Sequence, residues 1–172
     1  MFYFNKLLGI VKHRWVIILG FLYIPEVIAQ DPSCILQHYS TDDGLSHSGV
    51  MCMLEDHLGF MWFGTWDGLN RFDGYKFINY KSKPGDSNSL SNNRIDNIQE
   101  DKYGFLWVKT YDNKVHRFDR RNETFQGINT TRGSLDNSEI QFTDIYRTSD
   151  GDIWLISKTK GCFKINAKNM PI

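Results

Sequence analysis

The sequence says nearly the same thing twice. Residues 55–74, EDHLGFMWFGTWDGLNRFDG, return as EDKYGFLWVKTYDNKVHRFD at 100–119. Three markers share one period. Trp62, Trp107 and Trp154 stand 45 and 47 residues apart, and Leu45, Leu90 and Leu135 stand 45 and 45 apart. Gly59, Gly104 and Gly151 each precede their Trp by three residues. A fixed period of roughly 20–50 residues marks an array of supersecondary units, none of which can bury its apolar face alone. The chain must therefore build its core between repeats.

Each unit parses as short strands. In the second, RIDNIQED (94–101), FLWVKTY (105–111), VHRFD (115–119) and ETFQGIN (123–129) are separated by KYG, DNK and a polar turn. The first runs VMCMLED, FMWFGTW, LNRFD, KFINYK, and the third runs EIQFTDIYRTSD, IWLISKT, GCFKIN. Tight turns with Gly and Asp between β-branched and aromatic runs are hairpin signals. Four antiparallel strands per period, with Trp in the second strand, predict the blade of a β-propeller. A small sheet stacks on its neighbour around an axis, and the large aromatic fills the wedge between sheets. Trp62, Trp107, Trp154, Phe72, Phe118 and Phe163 are expected to be structural in this way.

The register predicts an all-β, incomplete propeller. ILQHYS (35–40) precedes GLS as FINYKSKPGDSN precedes SLS, so residues 30–43 are expected to be an orphan outer strand of the closing blade, with Tyr39 matching Tyr80. Blade 1 is placed at 44–88, blade 2 at 89–133 and a partial blade 3 at 134–172, which stops at NAKNMPI after its third strand. Propellers close with about four to eight blades. The expectation is the beginning of a longer protein or a truncated gene product, with uncovered sheet faces that self-association of fragments would cover.

The first 29 residues differ in kind. Lys6, Lys12, His13 and Arg14 precede the apolar run WVIILGFLYI, and Val27 and Ala29 sit as in a small-residue cleavage site. That order is a secretory signal. The run is too short for a bilayer core, which needs about 20 residues, so an uncleaved membrane anchor is the rival. Export from the cytoplasm follows. Cys34, Cys52 and Cys162 are three, with no CxxC spacing, and are expected as apolar filler. Twenty basic residues balance 20 acidic ones, and no basic stripe points to nucleic acid.

The 44–77 stretch, GLSHSGVMCMLEDHLGFMWFGTWDGLNRFDGYKF, resembles the two-component regulator propeller repeat, with its GLS opening, its ED-xx-G-x-x-W core and its GT-x-x-GL-x-R-F-D close. SNSLSNNRIDNIQED is similar to the linker and first strand of that repeat. The resemblance runs over about 35–166. It implies the N-terminal part of the periplasmic sensor of a hybrid two-component system of the Bacteroidetes type. It also implies a partner set of an oligosaccharide ligand, further propeller blades, and a membrane helix, histidine kinase, receiver and DNA-binding output outside this chain. The second unit departs with Val108-Lys109 and Asp112-Asn113-Lys114 where the pattern has Gly-Thr and Asp-Gly, and the third with Ile156-Ser157 and Lys160-Gly161-Cys162.

Chemistry is sparse otherwise. Glu55-Asp56, Glu100-Asp101 and Asp150 recur beside turns, which predicts turn capping through side chain to backbone bonds rather than a glycosidase carboxylate pair. The D-x-x-G-x-x-W spacing resembles the Asp-box turn of sialidase propellers, but Arg71, Arg94 and Arg117 do not form a sialidase arginine cluster. A secreted sialidase-like hydrolase is the alternative, and a non-functional remnant a third. His38, His47, His57 and His116 lack metal-ligand spacing; no metal, cofactor or catalytic residue is expected. Propeller ligands sit at the channel mouth, where sugar sites pair aromatic platforms with amide and carboxylate groups. Trp66, Asp67, Tyr111, Asp112 and Asn113 occupy that place in matching repeats and are the candidate ligand-binding residues.

Overall fold

The computed structural model describes residues 35–128 and 140–165. The expected signal sequence, Cys34, Leu135 and the last seven residues lie outside that range. The chain divides at Gln37/His38 into two compact units, and the fold described here is that of the second. It is all-β. Strands β1 (Val50–Glu55), β2 (Met61–Thr65), β3 (Gly68–Phe72) and β4 (Phe77–Tyr80) form one antiparallel meander. Strands β5 (Ile95–Glu100), β6 (Leu106–Thr110), β7 (Val115–Asp119) and β8 (Thr124–Gly127) form the second. Strands β9 (Asp144–Arg147), β10 (Ile153–Ser157) and β11 (Gly161–Lys164) form a third sheet in the order β11-β10-β9. No helix of the described residues is long and apolar enough to cross a membrane.

The first hairpin of both four-stranded sheets is built around one carboxylate. Asp56 Oδ1 accepts the N–H groups of Leu58 and Phe60 at 2.9 and 3.0 Å, and Asp101 Oδ1 those of Tyr103 and Phe105 at 2.8 and 3.0 Å. Gly59 and Gly104 take φ +83°, which a side chain rarely tolerates. The other oxygen reaches sideways: Oδ2 of Asp56 accepts from the Trp62 indole at 2.7 Å, and Oδ2 of Asp101 from Trp107 at 2.8 Å. A buried indole N–H needs a partner, and here the turn supplies it. The third unit keeps the turn but not the acid. Thr148 occupies the capping place, its Oγ1 accepting from Asp152 N at 3.1 Å, with Gly151 N bonded to Thr148 O at 2.9 Å. The counterpart of Asp56 and Asp101 is thus Thr148, and the expected Asp150 lies two residues further into the turn.

The core lies between sheets. Trp62 is fully buried and stacks against Tyr80 at 5.9 Å and edge-on to Phe118 of the next sheet at 5.4 Å. Tyr80 packs 5.1 Å from Phe118, and Phe118 4.7 Å from Phe125. Leu69, Leu90, Ile95, Ile98, Leu106 and Val108 complete this first interface. Trp107 repeats the arrangement against Phe142, Ile145, Ile153 and Leu155 of the third sheet, with Phe163 at its margin. Trp154, which faces no further sheet among the described residues, is only partly buried. Fully burying one such aromatic is worth about 3–5 kcal/mol against Ala, so neighbouring blades are the main source of each blade's stability. Phe72 differs from Phe118: it lies half-buried on the other side of the first sheet, 4.8 Å from Tyr39 and 4.7 Å from Phe77.

Polar links lock the same interfaces. Arg120 Nη2 reaches Glu100 at 2.6 Å and Asp56 of the first sheet at 3.1 Å. Tyr80 donates its hydroxyl to Glu123 at 2.9 Å. Asn97 donates to Asp144 at 2.8 Å, and Lys102 N to Gly151 O at 3.0 Å.

Within residues 35–43, Thr41–Asp43 is a 3-10 turn capped by Ser40, whose backbone N–H donates to Asp43 Oδ2 at 2.7 Å. Tyr39 packs 4.8 Å from Phe72, as Tyr80 packs 5.1 Å from Phe118. One expectation is corrected, and it concerns the Gly-Thr pair of the repeat. Strand register sets Cys52 opposite Gly64 and Asn97 opposite Lys109, so Gly64-Thr65 corresponds to Lys109-Thr110. The threonine is kept and only the glycine departs.

Candidate functional site

Antiparallel connectivity puts the entry to the first strand and the second hairpin turn at one end of each blade, opposite the Asp-capped turns. The GLS motifs organise that end. Leu45 and Leu90 are buried anchors. Ser46 Oγ lies 2.8 Å from Thr65 Oγ1, and Ser91 Oγ 3.1 Å from Thr110 Oγ1. Ser46 N donates to Asn70 Oδ1 at 2.8 Å and Ser91 N to His116 Nε2 at 3.3 Å. Burial pushes the His116 imidazole below its ordinary pKa, which suits the neutral ring that accepts this bond.

A β-bulge follows in both complete sheets, between Val50 and Cys52 and between Ile95 and Asn97. Bulges re-aim a side chain. The extra residues are Met51 and Asp96. Met51 Sδ takes the Trp66 indole N–H at 2.9 Å, and Asp96 bridges Lys109 at 2.8 Å and Arg94 at 3.5 Å. The second hairpin turn follows the bulge. In the first sheet it is the pair Trp66-Asp67, closed by Thr65 opposite Gly68. In the second it holds one more residue: Thr110 N bonds Lys114 O, Asn113 N bonds Thr110 O, and Asn113 takes φ +61°. That is the three-residue hairpin loop with a left-handed last residue, so Asn113 stands in for glycine.

The five candidate residues divide. Trp66 and Tyr111 are 52% and 56% exposed, and the structure joins them through Arg94, whose Cζ lies 5.5 Å from the Trp66 ring and 4.1 Å from that of Tyr111. His47 stacks on Trp66 at 5.6 Å. The result is one row, His47, Trp66, Arg94, Tyr111, crossing from the first sheet to the second. Asp67 pairs with Lys81 at 2.6 Å and accepts from Asn93 at 3.0 Å. Asp112 takes the hydroxyls of Ser91 and Thr110, and the Asn113 carbonyl takes Phe142 N at 2.9 Å. These three are engaged in holding turns and sheets together.

Sequence reasoning missed Arg94 as a member of the row. Its signal was the second-unit substitution of Arg94 for Gly49: Trp66 N bonds Gly49 O, and Tyr111 N bonds Arg94 O. Arg71 and Arg117 lie elsewhere, over Phe60 at 5.1 Å and Phe105 at 4.8 Å. The Asp-capped end carries a cavity of about 350 Å³ between the second and third sheets, lined by Lys102, Tyr103, Asp152 and Lys164 among others. Its lysines converge on Asp152 at 2.7 and 2.6 Å, and the ion pairs lower the Asp152 carboxyl and raise Lys102. That closed set leaves less free chemistry than the aromatic row.

Comparison with known proteins agrees with this architecture. Residues 44–67 and 89–112 match the family described as two component regulator propeller. Histidine kinase P4 of Formosa agariphila is 42% identical over 76 residues, which cover 44% of this chain and 6% of that protein. Two crystal structures from B. thetaiotaomicron match with TM-scores of 0.53. One, of the extracellular domain of a one component system, is 28% identical over 76% of this chain and 18% of its own. The other, of the extracellular domain of a hybrid two component system, is 27% identical over 77% and 19%. The chain therefore spans a small part of each relative's length.

Proposed function

We propose that this chain, built from two-component regulator propeller repeats, is part of the extracytoplasmic sensor of a hybrid two-component regulator and binds an oligosaccharide on its aromatic row. The repeats and the extracellular-domain likenesses support the sensor role. The observation that carries the ligand reading is the pair of exposed rings, Trp66 and Tyr111, held by Arg94 in adjacent blades at the loop end of the sheets. Aromatic faces beside polar groups are the chemistry of sugar binding, and loops at one end of a rigid scaffold are where such sites form. The chain would be exported by residues 1–29 and act on the periplasmic side. Phosphoryl transfer would belong to the kinase region of a longer protein.

The carboxylates do not favour a hydrolase. Asp56 and Asp101 have both oxygens committed to their turns and indoles. The test is a thermal-shift screen of the chain against a panel of plant and host oligosaccharides. One glycan class is expected to raise Tm, and Tyr111→Ala to abolish the rise. A panel without a single shift would sink the ligand reading.

A further inference from the structure

Position 94 carries an arginine where the preceding repeat has Gly49, and its half-buried side chain is held between two rings. The guanidinium lies over Tyr111 at 4.1 Å and Trp66 at 5.5 Å. Cation–π contacts of this kind fix the plane of the group. Its Nε is buried, makes no hydrogen bond, and lies 3.5 Å from Asp96 Oδ1. Among the described residues its two Nη groups donate no hydrogen bond.

The acids around it are shared or engaged elsewhere. Asp96 is shared with Lys109 at 2.8 Å, so one carboxylate stands between two cations. Asp67 is closed on Lys81 and Asn93, and Asp112 on the hydroxyls of Ser91 and Thr110. What remains is an unoccupied donor fork, flanked by two rings. Trp66 carries both His47 and Arg94, whereas Tyr111 carries Arg94 on one face, so Tyr111 is the freer ring of the pair. A rigid guanidinium fork matches a carboxylate, which it binds through two parallel bonds.

We infer that Arg94 makes the site selective for acidic sugars. A uronic-acid residue places its carboxylate on the Nη pair of Arg94 and its ring face on Tyr111. This rests on the oligosaccharide reading above and adds charge to it. A neutral sugar of the same shape would stack equally but leave the fork unpaired, and sites built to bond one group discriminate against analogues that lack it.

Calorimetric titration of the full chain with trigalacturonic acid and with its carboxyl-reduced neutral trimer tests this. Wild type is expected to bind the acid at least about tenfold tighter, with the preference shrinking as salt rises from about 0.05 to about 0.5 M. Arg94→Gln should lower the acid to the level of the neutral trimer without shifting Tm by more than a degree or so, and Tyr111→Ala should weaken both. Equal affinity for the two trimers, or a preference that survives Arg94→Gln, overturns the acidic assignment and leaves the oligosaccharide reading standing. Binding of neither trimer overturns the acidic assignment, and the thermal-shift panel of plant and host oligosaccharides then decides the broader one.

Discussion

Trp62 donates its indole N–H to Asp56 Oδ2 at 2.7 Å, and 45 residues later Trp107 repeats the bond to Asp101 at 2.8 Å. The bond explains why the acid, the glycine and the tryptophan recur as one unit. The carboxylate caps the hairpin with one oxygen and fixes the wedge residue with the other. Local turn chemistry and interblade packing therefore fail together.

Asp56 gives this an acid signature. Burial acts to raise its pKa, but the Trp62, Phe60 and Leu58 donors and the Arg120 charge outweigh it and hold the carboxyl below its ordinary value. A depressed folded pKa contributes stability that is full above the unfolded value of about 3.9 and disappears as pH falls through the folded one. Asp56→Ala is expected to lose about 2–4 kcal/mol at pH 7, because it leaves the buried indole unpaired and uncaps the turn. Its stability should also vary less than that of the wild type as pH falls below about 4. Urea melts at several pH values check both; parallel pH profiles for the two proteins would remove Asp56 from the acid transition.

The wedge argument predicts unequal tryptophans. Trp107 is fully buried against the third sheet, whereas Trp154 is partly exposed. Trp107→Ala should cost about 3–5 kcal/mol and Trp154→Ala well under half of that. Denaturant melts of the two variants decide it. Equal losses would mean that the tryptophans are held within their own sheets, not by the neighbour.

The repeat made most of this fold legible. Period, strand count, hairpin turns and wedge residues all follow from spacing, because each unit solves the same packing problem with the same residues. Legibility failed where units differ. Thr148 replaces the acid in the third turn, and an aligned string of acids pointed to Asp150 instead. The shift of Gly-Thr onto Lys109-Thr110 needed the strand register, since the second hairpin loop gains Asn113. At the site, Trp66 and Tyr111 were visible as matching aromatics. Arg94 was missed because its only signal is the replacement of Gly49 by Arg in the second unit, and the spacing does not say that this side chain reaches the Trp66 ring of the previous blade.

Gly64 is a packing requirement and not a turn. A Cβ built there would lie 2.5 Å from Cys52 Sγ and 2.7 and 3.0 Å from Ile95 side-chain carbons of the next sheet. Overpacking of this kind costs about 1–3 kcal/mol. Gly64→Ala should lower stability by that amount, and Gly64→Ala combined with Cys52→Ala should recover part of it, because removing the Cys52 Sγ relieves the shortest of these contacts. A double-mutant cycle on Tm and urea midpoints reads the coupling; strict additivity would show that the clash is relieved elsewhere.

The cysteines separate by environment. Burial pushes the Cys52 thiol up to about 12, with the Asp96 charge adding to the shift, while Cys162 is exposed on β11. The thiolate is the reactive form, so at pH 8 iodoacetamide should alkylate Cys162 within minutes and leave Cys52 unmodified until the chain is denatured. Peptide mass mapping after timed quenching distinguishes the two sites. Cys52 also packs against the first interblade core and sits where a Cβ on Gly64 would intrude. Its labelling rate in dilute urea therefore reports the parting of the first two sheets. If Cys52 reacts as fast as Cys162 in native buffer, the first interface opens far more readily than its buried tryptophan implies.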